Sequence, residues 1–118
     1  MDLIRIDDAI MANEFLKETT FQLEKDFLNI GVNFDIEKPI HDYKQLFSFA
    51  SKLVNTLNEQ DPKRILNLLY RIDLSEEKVQ SEMQISSLTF SELLAELIVK
   101  RELQKVIMKN YYSNPENQ

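Results

Sequence analysis

The sequence predicts an all-α fold, a single bundle of four to five helices with a long helix at its C-terminal end. The 118 residues include a single Gly and three Pro, too few of the turn formers on which sandwiches, barrels and phosphate-binding loops depend. Apolar residues recur at helical spacing through most of the chain, and several of these segments begin with side chains able to cap a helix. With 43% hydrophobic residues the composition is that of an ordinary globular protein. A domain of this length buries about two-thirds of the surface its unfolded chain exposes, without help from a metal or a disulfide.

The first segment reads as one helix from Asp8 to Ile30, stopped by Gly31, the one residue that enters a left-handed cap without steric cost. Ala12, Leu16, Thr19, Leu23, Phe27 and Ile30 form its main stripe, while Ile10, Phe21 and Leu28 lie on a different side, so the helix is expected to be covered on two sides. An extended connection through Asn33, Asp35 and Pro39 leads to a second helix, Asp42 to Asn58. Tyr43, Leu46, Phe47, Ala50, Leu53, Val54 and Leu57 give it an unbroken apolar face, and Asp42 with Gln45 fits a capping pair.

Asp61 reads as the N-cap of a third helix to Ile72, with Pro62 at the first helical position, where its missing N–H is harmless. The short link makes the second and third helices an antiparallel hairpin. Ser75-Glu76-Glu77 starts a short fourth helix to Glu82, Met83 to Leu88 reads as a loop, and Thr89 with Glu92 forms a capping box for the last helix, which ends at Tyr111. Residues 1–112 are thus one helical domain and residues 113–118 a polar tail.

The last helix is apolar on two sides. Phe90, Leu93, Leu94, Leu97, Ile98, Ile107 and Met108 share one broad face, and Ala95, Val99, Leu103 and Val106 form a second stripe nearly opposite. Water cannot cover both. The second stripe is therefore the expected interface of a homodimer, the rival being a central helix wrapped within one chain. Arg101 falls inside the apolar face, so its guanidinium is expected to meet a carboxylate, with Asp73 as the candidate partner.

Chemistry is sparse. With no Cys there is no thiol nucleophile, iron–sulfur cluster or thiolate zinc site, and His41, the one histidine, cannot complete a Ser/His/Asp relay without a GxSxG turn or a metal site without a second histidine. No catalytic, cofactor-binding or metal residue is assigned. Glu96 with Lys100 and Glu102 with Lys105 read as ordinary intrahelical ion pairs, and Lys100, Arg101, Lys105 and Lys109 suit the negative end of a helix dipole. The net charge of −6, with six Lys+Arg against twelve Asp+Glu up to Asp61, opposes nucleic acid and anionic membranes. Acids at Asp2, Asp7 and Asp8 replace the basic start of a signal peptide, and Glu96 breaks the purest apolar run, so the expected location is cytoplasmic.

Leu68-Leu69-Tyr70-Arg71-Ile72-Asp73-Leu74-Ser75-Glu76 and the run Ala95-Glu96-Leu97-Ile98-Val99-Lys100-Arg101-Glu102-Leu103-Gln104-Lys105-Val106 resemble segments of short, uncharacterised bacterial proteins. The resemblance implies a cytosolic helical domain and carries over no catalytic residue. The expected function is a protein-interaction module that associates with itself or with another protein. The alternative is a small-molecule-binding or enzymatic helical domain with a charged pocket near Arg71, Asp73, Glu96 and Arg101.

Overall fold

In the computed structural model, which describes residues 3–34, 36 and 39–113, there are six helices and, among the described residues, no strand. They are α1 (Leu3–Met11), α2 (Leu16–Asn29), α3 (Tyr43–Gln60), α4 (Pro62–Arg71), α5 (Glu76–Ile85) and α6 (Phe90–Ser113). Of the expected tail, residues 114–118 lie outside the described ones.

The two-sided α6 is answered within one chain. Ala95, Val99 and Leu103 are fully buried and Val106 nearly so, together with Leu94, Ile98 and Ile107 of the other face. α3 makes the broadest contact with α6, and α1, α2 and α5 also pack on it. The stripe expected to meet a second copy is therefore internal core. The physical reason is that the shorter helices cover both apolar faces of the long one before any partner is needed.

The expected first helix is two helices. Backbone N–H groups of Asn13 and Glu14 donate back to Ile10 and Ala9 at 3.2 and 2.9 Å, closing α1, and Asn13 takes φ 54°. Asn is among the few side chains that tolerate this left-handed conformation. Phe15 follows at φ 58°, a strained conformation for an aromatic residue. Buried Tyr43 of α3 pins the corner: its hydroxyl donates to the Glu14 carbonyl at 2.6 Å and stands 3.3 Å from Thr19 Oγ1.

The other boundaries follow local chemistry. Gly31, φ 86°, ends α2 with Val32 N–H donating to the Phe27 carbonyl at 2.9 Å. Asp42 Oδ1 accepts from Gln45 N–H at 2.8 Å while Gln45 Oε1 accepts from His41 N–H at 2.7 Å. Ser75 Oγ caps α5 through Lys78 N–H, and Thr89 and Glu92 exchange side-chain-to-backbone bonds at α6. Helix α5 runs to Ile85, past the expected end at Glu82. Asp61 departs from its expected role: its carboxylate meets Arg64 Nε at 3.1 Å and makes no cap bond to α4. Arg64 also donates from Nη1 to the Gly31 carbonyl at 3.0 Å, tying the end of α2 to α4.

Tyr43→Phe is expected to lower stability by about 1–2 kcal/mol through loss of the hydrogen bond to Glu14, measured by urea unfolding. Val99→Glu, which buries an unpaired charge in the core, is expected to abolish cooperative thermal unfolding of the chain, read by circular dichroism.

Candidate functional site

Charged groups from three helices converge where α2, α4 and α6 meet. Asp26 of α2 is buried, on the same inward side as Leu23 and Phe27. Its Oδ1 accepts from Arg71 Nε at 3.1 Å, and its Oδ2 accepts from Lys105 Nζ at 3.0 Å and Gln22 Nε2 at 3.1 Å. Beside it Glu102 is 0% exposed. Neither Glu102 oxygen meets a hydrogen-bond donor, and Lys105 Nζ stands 3.7 Å from Oε1.

The two carboxyls hold different protonation states. For Asp26, burial favours the neutral form, but hydrogen bonds from Glu102, Gln22 and Lys105 and the Lys105 charge outweigh it and hold the carboxyl down at about 2. Burial raises Glu102, the adjacent Asp26 raises it further, Lys105 opposes, and the outcome is about 9. Glu102 is thus neutral at pH 7, a proton donor facing an ionised Asp26; Lys105 does stand beside it, as the intrahelical spacing predicts, but against a buried, protonated carboxyl rather than in an ordinary ion pair. The signal was available: Ile98, Glu102 and Val106 are spaced by four on a buried line of α6, as Leu23 and Asp26 are by three on α2.

The residues singled out from sequence are not brought together as expected. Arg101 Nε donates to the Ile72 carbonyl at 2.7 Å and Nη1 to Gln104 Oε1 at 2.9 Å, so Arg101 caps the end of α4, and among the described residues no ion pair joins it to Asp73. The reason is backbone geometry. Asp73 takes φ 58° just past α4, with Leu74 N–H donating to the Leu69 carbonyl at 2.9 Å, and this turn leaves its side chain exposed. Arg71 is engaged with Asp26, and Glu96 with Lys100 at 2.8 Å. The three principal cavities are not lined by Arg71, Asp73 or Arg101, and Glu96 lines only the third, a depression of about 430 Å³ beside Phe47 and Ser48. Ala95, Val99, Leu103 and Val106 are core.

The larger two cavities flank α2. One, of about 840 Å³, is lined by Phe15, Leu16, Phe21, Ile36, Pro39 and Ile40 among others. The other, of about 560 Å³, lies between α2 and α6 and takes Lys17, Phe21, Lys25, Lys105, Val106 and Lys109. Phe21 lines both, so α2 is a ridge between two grooves with Phe21 at its crest. Among the described residues no group of three or more acidic or histidine side chains is placed to hold a metal, and no helix is long and apolar enough to cross a membrane.

No protein-family model matches the chain, and no curated protein or solved structure is significantly similar to it.

The buried pair makes a pH prediction. The folded chain keeps a proton on Glu102 that the unfolded chain releases above its ordinary value of 4.5, so this group lowers stability progressively as pH rises from 4.5 to about 9. Glu102→Gln is neutral at every pH and is expected to raise stability by about 1–3 kcal/mol near pH 8, flattening the alkaline decline in urea unfolding. Asp26 acts oppositely: its contribution is full above 3.8 and disappears as pH falls through about 2. Asp26→Ala removes the acceptor that joins the three helices, but Arg71 stays open to water and Lys105 keeps Glu102 at 3.7 Å, so the expected cost at neutral pH is about 1–2 kcal/mol.

Proposed function

We propose that the chain is a protein-interaction module whose working surface is the outer face of α2. What supports this reading is the placement of two large apolar side chains on the side of α2 opposite its core. Phe21 is 66% and Leu28 59% exposed, while Thr19, Leu23 and Phe27 are buried on the inner side. Phe21 and Leu28 are seven residues apart, nearly in line on a helix, and Phe21 borders two grooves. An aromatic side chain held on a rigid helix between grooves is the kind of anchor that dominates protein interfaces. The charged cluster under α2 fixes that helix in place, so the surface is organised in advance of binding.

The test is a photo-reactive phenylalanine analogue placed at position 21 in cells that make this protein. A covalent adduct with another polypeptide is expected there and not when the analogue replaces Lys44, an exposed position on α3. Position 21 giving no adduct above the Lys44 background defeats the reading.

A further inference from the structure

Resting on the reading of α2 as a docking surface, we infer that its occupant is the α2 of a second copy of this chain, paired across a two-fold axis at Phe21. The charges around Phe21 are ordered symmetrically: Lys17, Glu18, then Phe21, then Glu24, Lys25. On a helix of 3.6 residues per turn, Lys17 and Glu24 lie about 40–60° to one side of Phe21, and Glu18 and Lys25 about 40–60° to the other. Each flank therefore carries one cation and one anion, on opposite sides of the ring along the helix axis.

An antiparallel second α2, related by a two-fold axis through Phe21, sets like flank against like flank in reversed order. Lys17 then meets the partner's Glu24, and Glu18 meets the partner's Lys25, each pair occurring twice around the two stacked rings. A parallel second helix exchanges the flanks and also pairs opposites, Lys17 with the partner's Glu18 and Glu24 with the partner's Lys25. Either direction leaves no like charges facing one another from these four positions. Lys17, Glu18 and Lys25 are exposed and Glu24 is half-buried, and Asn110 Nδ2 donates to Glu18 Oε2 at 3.1 Å, steadying that carboxylate toward α6.

A comparably exposed apolar pair on another helix lacks this property. On α4, Leu66 and Tyr70 are flanked by Lys63 and Arg71, and the helix PKRILNLLYR contains no acid to answer them from a second copy. A 14-residue helix offers less than a standard interface, so the dimer forms at high concentration and weakens with salt.

Sedimentation equilibrium up to about 500 µM at low salt tests the inference. The expected result is a rise in mass from 13.9 kDa toward twice that value. Phe21→Ser, at an exposed position that the fold does not need, is expected to raise the dissociation constant at least about tenfold. Lys17→Glu is expected to raise it by about three- to tenfold by setting acid against acid. Mixing Lys17→Glu chains with Glu24→Lys chains restores association in the antiparallel arrangement, and mixing them with Glu18→Lys chains restores it in the parallel one. Circular dichroism verifies that each variant is folded. A wild type that stays monomeric, a Phe21→Ser variant that associates as well as wild type, or a Lys17→Glu variant that neither mixture restores overturns the inference. The cross-link at position 21 separates the two levels. An adduct with a different protein defeats the second copy and leaves the docking surface standing, whereas no adduct defeats both.

Discussion

A 24-residue helix that is apolar on opposite sides can be stable in water only when it is surrounded, and α6 is such a helix. Each Val or Leu it buries contributes about 1.5–3 kcal/mol relative to exposure. Ala95, Val99 and Leu103 on one side and Leu94, Ile98 and Ile107 on the other are all sealed. Nearly every other feature serves that enclosure. The capped start of α3 sets the helix that packs most broadly on α6, and the strained corner before α2 lets α1 and α2 both reach it.

Enclosing α6 has an electrostatic consequence. A helix inserted among others must bury whatever lies along its inward lines, and Glu102 lies on one of them. Leaving it ionised beside the Asp26 carboxylate would set two buried negative charges against each other, so one carboxyl keeps its proton. Asp26 is the one that ionises because Arg71, Lys105 and Gln22 reach it, whereas Glu102 has only a distant approach from Lys105. The arrangement joins α2, α4 and α6 through one carboxylate, at the cost of a neutral acid with no donor. Buried pairs of this kind contribute less net stability than their geometry suggests, and removing one partner is where the energy shows.

What could be read in advance was local. Gly31, the Asp42–Gln45 pair, Ser75 and the Thr89–Glu92 box each specify a helix end through neighbours a few residues away, and each does so in the folded chain. The period of α3 stands as read, and so do both faces of α6 through its middle, while Phe90 and Met108, read into the broad face, are exposed. Statements that needed two distant segments did not carry over. The pairing of Arg101 with Asp73 required knowing that the chain turns left-handed at position 73, and the dimer stripe required knowing that α1, α2, α3 and α5 could together cover both faces of α6. The Asp26–Glu102 pair was missed because acids beside lysines look like solvated ion pairs until the inward line on which they sit is followed along the helix.

The break between α1 and α2 links these themes. Read as a continuous helix from Asp8 to Ile30, the first segment would project as one rod, and whatever covered its Ile10 side would extend along Phe21 and Leu28 too. Asn13 and Phe15 in left-handed conformations end α1 before that can happen. Released from α2, α1 turns back to place buried Ile6 and Ala9 in the core and to touch α6. The chain uses its spare helix to help close the centre, and the outer side of α2 is left without a cover of its own. Isolated exposed apolar residues are ordinary on protein surfaces. Here the strain accepted at Phe15 and the clamp from Tyr43 hold in place a turn whose result is that Phe21 and Leu28 stay exposed on the outer side of α2.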